Sequence, residues 1–236
     1  MNLPTEDTHA RNTPAEHTGH PQAVRALRAL AHTDPSVRLR AALTVGSAPG
    51  PGSVGALVER CAAEPEFQVR EMLTWALTRH APAATVPLLV GEVRSGGARA
   101  RAQALHTLSK IGDRAAWPVI TPELLADPDD EVARSAWRAA VVLVPEGAEP
   151  GLAVGLAGQL GRGPHETRLS LSRALIALGD AALPALAAAG SGPDPRARAH
   201  ALATERLRRD PDAGSASAIE AAKRVVALGT DAGEER

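Results

Sequence analysis

Aromatic residues are scarce in this chain: of 236 residues, three are Trp, one is Phe and none is Tyr. A core without aromatic rings has to be filled by Ala, Leu and Val. Close packing of such side chains is typical of helices rather than of a sandwich or a barrel. The composition therefore predicts an all-α fold.

Cysteine and an excess of charge of either sign are also lacking. The single cysteine, Cys61, excludes an intrachain disulfide and a multi-cysteine metal site, which is the usual state in a reducing cytosol. The formal net charge is -1, so no overall positive field attracts nucleic acid or an anionic membrane. Since the first twenty residues contain no apolar leader and no run is long enough to cross a bilayer, we expect a cytoplasmic protein without membrane contact.

A short motif recurs along the chain: a small or branched residue that is followed by arginine in five of six copies. The motif residues are separated by 32, 31, 32, 35 and 30 positions, and they are Val37, Val69, Ala100, Val132, Thr167 and Ala197. Turn-forming segments precede most copies, and Asp34, Asp130 and Asp194 are candidate N-caps of the helices that follow. Each repeat is therefore predicted to be a pair of helices, with the motif in the second helix.

The turn with Asp and Pro, the Val-Arg pair and the Ala four residues after that Val, as in "DPSVRLRAAL", resemble HEAT repeats of the short, phycobilisome-lyase-like class. This resemblance extends from about Pro21 to Asp210. The run from "REMLTWALTRH" through "SAWRAAVVLVP" is also similar to HEAT-repeat proteins of high-GC bacteria. The resemblance implies a right-handed α-solenoid of about six helix pairs. It implies little about function, because this scaffold supports many different roles.

The two ends of the chain have different patterns. Ser217 and Glu220 form a candidate capping box before an apolar helical face, which predicts a C-terminal capping helix over the last repeat. We expect the solenoid to span residues 20–229, between a disordered polar tail at 1–19 and a polar tail at 230–236. The histidines near the first tail, His9, His17 and His20, are interpreted as solvated residues, and no metal or cofactor is expected.

Helical periodicity predicts which side chains of the second helices point outward. The motif residue and the residues four and eight positions later share a buried face, whereas the residue six positions later faces away from it. In the solenoid that the resemblance implies, these sixth positions form a column along the concave groove: Leu43, Trp75, His106, Arg138, Arg173 and Ala203. With charged neighbours on the same helices, the candidate partner-binding site is Trp75, His106, Arg138, Arg173, Arg134, Glu71, Arg79 and Lys110.

Other conspicuous residues are assigned to packing. Trp137 lies at the flank of its helix and is expected to pack against neighbouring helices. The arginines of the motif should pair with acidic turn residues and carbonyl groups and so lock adjacent repeats: Arg38, Arg70, Arg101, Arg168 and Arg198. Ala133 replaces this arginine in the fourth repeat, where we expect the solenoid to bend or loosen.

Two classes of function stay open. A non-catalytic scaffold that binds an acidic protein or peptide in the groove is favoured, because the net charge is near zero and lysines are almost absent. The alternative is a nucleic-acid-binding groove, and Trp75 with Glu71 resembles a reduced version of the residue set of HEAT-like DNA glycosylases. No catalytic residue is assigned. The His165-Glu166 pair alone is too small a ligand set for a HEAT-like iron hydroxylase, and no phosphate loop or nucleophile elbow occurs.

Overall fold

The computed structural model describes residues 19–50 and 52–210, which contain no strand. The α-helices of this part form six consecutive pairs: α1 Gly19–Ala29 with α2 Pro35–Ser47, α3 Val54–Ala63 with α4 Phe67–Thr78, α5 Pro82–Ser95 with α6 Ala98–Ile111, α7 Pro122–Leu125 with α8 Asp130–Leu143, α9 Glu149–Ala157 with α10 His165–Ala177, and α11 Leu183–Gly190 with α12 Pro195–Arg209. Short 3-10 helices, Arg114–Val119 and Gly179–Ala182, precede α7 and α11.

The helix register predicted from the sequence agrees with the structure. In all six second helices the motif residue is the third residue of the helix, from Val37 in α2 to Ala197 in α12. In α8 the predicted inner face is completely buried at Val132, Ala136 and Ala140. The predicted helix pairs and the all-α solenoid are therefore confirmed.

The helices form two layers with the core between them. The second helices α2, α4, α6, α8, α10 and α12 pack on one another in chain order, and the first helices pack beside them. The buried core is made almost entirely of Ala, Leu and Val, as the composition predicts, and it runs without interruption from α1 to α12. The solvent-exposed side of the six second helices, here called the second-helix face, carries the predicted site residues.

Arginines of the motif lock the turns between repeats, as predicted. The guanidinium of Arg38 donates to the backbone carbonyls of His32 and Thr33 and forms a buried ion pair with Glu64, in which Nη2 and Oε1 are 2.6 Å apart. Burial opposes ionisation of Glu64, but hydrogen bonds from Arg38 and from the Glu66 amide outweigh it and lower the pKa of this carboxyl. Two repeats later, the Arg101 guanidinium forms an ion pair with Asp127 in the same way.

The fourth repeat does not lose this lock at Ala133. Arg162, from the turn after α9, donates to the carbonyl of Asp127, the position that an arginine at 133 would reach by analogy with Arg38 and His32. Its Nε also donates to Asp130 at 3.0 Å. Ala133 itself is completely buried. The expected loosening is therefore absent, because a guanidinium from the following repeat supplies the missing contacts.

One predicted helix cap is displaced by a residue. Asp34 and Asp194 are N-caps whose carboxylates accept from the backbone amides two residues ahead, as expected. The N-cap of α8 is Asp129 and not Asp130, and Asp129 Oδ1 accepts from the amides of Glu131 and Val132 at 2.9 and 3.3 Å. Adjacent aspartates make the position ambiguous in the sequence.

Trp137 packs inside the solenoid, as its flank position predicts. Its side chain is completely buried, and Nε1 donates to the carbonyl of Leu125 at 2.8 Å. The ring therefore joins α8 to the end of α7 in its own repeat.

The predicted C-terminal capping helix and the 230–236 tail lie outside the described residues. So does the 1–19 tail, except that α1 begins at Gly19. None of the described helices combines the length and apolar character that a membrane span requires.

Candidate functional site

The predicted column lies on the second-helix face. Five of its six members are exposed, and Leu43 and Trp75 are 45% and 37% accessible. His106, at the centre of the column, is half-buried, with a side chain that is 21% accessible. Because the six residues occupy equivalent positions on successively packed helices, they form a continuous row across the face.

Two open depressions divide this face on either side of Arg138, which lines both. The N-side depression, between α4, α6 and α8, has a volume of about 550 Å³ and contains Glu71 and His106 among the predicted residues. The C-side depression, between α6, α8 and α10, has a volume of about 370 Å³ and contains Lys110, Arg134 and Arg173. The structure thus brings six of the eight predicted residues into two adjoining hollows.

Trp75 and Arg79 line neither depression. The ring of Trp75 rests against α2, where a Cβ added to Gly46 would lie only 2.5 Å from Trp75 Cζ3. The exposed part of the ring extends the row toward Leu43. Trp75 therefore packs between repeats and also presents an apolar edge on the second-helix face.

The N-side depression carries charges of both signs. Glu71 Oε1 is 3.2 Å from His106 Nε2, within ion-pair distance, and this buried nitrogen has no hydrogen-bond partner among the described residues. Burial is the main cause that lowers the pKa of His106; Glu71 acts in the opposite direction, and Arg138 and Lys110 add to the lowering. The lowered pKa favours the neutral form of His106, and with arginines and carboxylates both in its lining the hollow is not strongly anionic or cationic.

Positive charge is concentrated in the C-side depression. Among the described residues, no carboxylate lies within ion-pair distance of Lys110 or Arg173, and Arg138 Nη2 donates to the neutral Ser135 hydroxyl at 3.0 Å. Arg134 is only 27% accessible, less than its predicted outward position implies, and reaches Glu131 at 3.7 Å. Although Arg138 is exposed, the protein around its guanidinium excludes part of the solvent and lowers its pKa; Arg134 adds to the lowering, and the carboxylates of Glu131 and Glu71 oppose it. These cations are crowded and largely uncompensated.

Several lining residues were not found by sequence reasoning. Phe67 is 60% exposed beside the N-side depression, with the Arg70 guanidinium 5.8 Å from its ring centre. The C-side depression also contains Val142, Ser170 and Glu166. Val142 lies ten residues after its motif residue, the same position as Lys110, so extending the column by one helical turn would have identified it. Phe67 is the first residue of α4, where face periodicity gives no signal.

Residues with potential for nucleophilic chemistry are used for packing. Burial raises the pKa of the Cys61 thiol to about 12, which makes it a poor nucleophile. Ser53 Oγ lies 2.6 Å from His80 Nε2, and Ser172 Oγ lies 3.0 Å from the same atom of His200, but all four side chains are buried and none lines a depression. The described residues also include no group of three His, Cys, Asp or Glu side chains placed to hold a metal ion.

Comparison with known proteins identifies the repeats. A family model of HEAT repeats matches residues 14–78 and 56–141, which together cover more than half of the chain. No curated protein matches the chain.

Proposed function

Because the chain belongs to the HEAT-repeat family, we propose that it is a non-catalytic scaffold that binds an acidic protein segment on its second-helix face. HEAT repeats commonly serve as protein-interaction scaffolds, since a solenoid presents an extended surface. The observation that carries the proposal is the C-side depression, which four cationic side chains and one carboxylate, Glu166, line; of the four cations only Arg134 has an ion-pair partner among the described residues, Glu131.

Apolar surface beside this charge supports a protein partner. Val142 is 45% exposed on the floor of the C-side depression, and Leu43 and Trp75 continue the row toward the N-terminal repeats. Acidic side chains of a partner segment would meet the cations while its apolar side chains cover these residues. Complementary charge mainly gives specificity and fast association, whereas buried apolar contacts give affinity.

The charge pattern favours a peptide over a nucleic acid. A nucleic-acid backbone requires a basic track that follows consecutive phosphates. The cations of the C-side depression adjoin the N-side depression, where Glu71, Asp129 and Glu131 offset the charge of Arg70 and Arg99 and so interrupt such a track. We therefore propose an acidic protein segment as the partner, and the experiment below also tests binding of nucleic acid.

Fluorescence anisotropy with defined probes tests the proposal. A short labelled peptide of alternating glutamate and leucine should bind, and the same peptide with lysine in place of glutamate should not. Replacing Arg134 and Arg138 together by Ser should weaken binding of the acidic peptide by roughly tenfold or more, because two cations of the site are lost. Arg94→Ser, at an exposed arginine of α5 without an ion pair to any described carboxylate, is the matched control.

Stability and salt dependence separate the possible outcomes. The double arginine variant should change the free energy of unfolding by less than about 1 kcal/mol, as is usual for surface charges. Equal binding of the lysine peptide, or unchanged binding by the double variant, would overturn the proposal. Preferential binding of a short DNA duplex with a steep loss of affinity as salt increases would establish the nucleic-acid alternative instead.

A further inference from the structure

The C-side depression draws its positive charge from three different helices. Lys110 comes from the last turn of α6, Arg134 and Arg138 from α8, and Arg173 from α10. Cationic groups would therefore contact an anion in this hollow from several sides. Such convergence suits a group with acceptor oxygens in several directions better than a planar carboxylate, which one guanidinium can satisfy through two parallel hydrogen bonds.

Donor capacity in the hollow is largely unused. Lys110 and Arg173 have no ion-pair partner among the described residues, and the buried Nε of Arg134 has no hydrogen-bond partner in this part of the chain. Hydroxyl groups of Ser109 and Ser170 lie at the same hollow. Glu166 lines the hollow and Glu131 lies 3.7 Å from Arg134, so four cations meet two carboxylates and an excess charge of +2 is available to a ligand.

We propose that the C-side depression is a binding subsite for a phosphoryl group carried on a serine or threonine of the partner segment. This inference rests on the proposed function, because it names the modification that the acidic segment would carry. A phosphoryl group has a charge near -2 at neutral pH and three strong acceptor oxygens, whereas a glutamate side chain has a charge of -1. Both its charge and its directional demand match the hollow better than glutamate does.

The surroundings fit one phosphoryl group on a peptide. Beyond Arg138 the carboxylates of the N-side depression offset its other arginines, Arg70 and Arg99, so no excess of positive charge is left there for a second phosphate in a row. Val142 and Ala174 also line the hollow and offer an apolar contact to the side chain next to the modified residue. The hollow therefore combines a single dianion site with an aliphatic contact.

Peptides that differ only at one position test this inference. A short labelled peptide of alanine, leucine and glutamine is prepared with phosphoserine, glutamate or serine at its centre. The phosphoserine form should bind to the intact chain roughly tenfold more tightly than the glutamate form, and the serine form should bind most weakly. Lys110→Ser and Arg173→Ser, at exposed residues, should each remove most of this preference, whereas Arg94→Ser should preserve it.

Each outcome has a separate meaning. Equal binding of the phosphoserine and glutamate forms overturns the phosphoryl subsite, and so does a phosphoserine preference that survives both Lys110→Ser and Arg173→Ser. In either case, binding of the glutamate–leucine peptide that depends on Arg134 and Arg138 would leave the proposed function intact. The scaffold proposal itself is overturned only if the glutamate–leucine peptide also fails to bind. Unchanged melting temperatures of the variants show that they are folded.

Discussion

At the scale of the residue, position in the repeat decides what an arginine does. One position after the motif residue, a guanidinium reaches back to the carbonyls of the preceding turn, as Arg38 and Arg70 do. Two and six positions after it, Arg134 and Arg138 reach the second-helix face. A change of one residue along a helix turns a side chain by roughly 100°. Chemically identical residues thus become either locks between turns or cations on the second-helix face.

Trp137 provides a residue-scale prediction. Trp137→Ala removes a completely buried ring and should lower the free energy of unfolding by about 3–5 kcal/mol, because the cavity cannot close fully. Trp137→Phe keeps most of the ring but loses the donor to Leu125, and it should cost less. Urea denaturation measures both values. A stable Trp137→Ala variant would contradict the packing described for α8.

At the scale of the element, two pairs of second helices are held together by buried polar side chains in addition to apolar contacts. The polar residues occupy the same repeat positions in both pairs: Thr74, Gln103 and Thr107 join α4 to α6, and Ser172, His200 and Thr204 join α10 to α12. At the position of Thr74 and Ser172, five residues after the motif residue, α2, α6 and α8 instead have Ala42, Leu105 and Trp137. Satisfied polar groups in a low-dielectric interior favour one alignment of the helices over shifted ones.

Close approach of α2 and α4 gives an element-scale prediction. Gly46→Ala would place a Cβ within 2.5 Å of Trp75 Cζ3 and 2.8 Å of the Ala76 Cα, so the helices must separate. We expect a loss of about 1–3 kcal/mol in the free energy of unfolding, as is usual for overpacking.

Gly55→Ala in α3 is the matched control, because nothing lies within 4 Å of its added Cβ. This change should stabilise the protein by up to about 1 kcal/mol through helix propensity alone. Thermal or urea unfolding distinguishes the two variants. Similar effects of both substitutions would show that α2 and α4 are not in close contact at Gly46.

At the scale of the whole molecule, buried histidines make stability depend on pH. Burial lowers the pKa of His106 and of His200, whose Nδ1 accepts from the Gly161 amide at 3.0 Å. Below a pH of about 6.5 the unfolded chain gains protons at these residues that the folded chain does not, so acid favours unfolding. The carboxyl of Glu64, with its lowered pKa, adds a further loss at more acidic pH.

We therefore predict that the free energy of unfolding falls as the pH is lowered from neutral to slightly acidic values. His200→Asn, which keeps an acceptor for the Gly161 amide, should reduce this fall, whereas His165→Asn at an exposed position should not. Urea titrations at several pH values measure the slope for each variant. A pH-independent stability of the native sequence would refute the assignment of neutral buried histidines.

Sequence by itself determined the repeat architecture, because periodic apolar positions and turn residues are local signals that recur six times. It predicted the helix pairs, the buried face of α8, the burial of Trp137 and the outward row from Leu43 to Ala203. Each of these depends only on the 3.6-residue period and on the alignment of the motif.

Tertiary structure alone decided how neighbouring repeats combine. Three features involve residues about thirty positions apart. Arg162 supplies the contact that an arginine at 133 would make, Trp75 contacts Gly46, and the second-helix face is divided into two depressions. The distances between such residues follow from the packing of α2 to α12 on one another. A repeat pattern states which side of a helix faces outward, but the packing of adjacent helices decides which outward charges share a hollow.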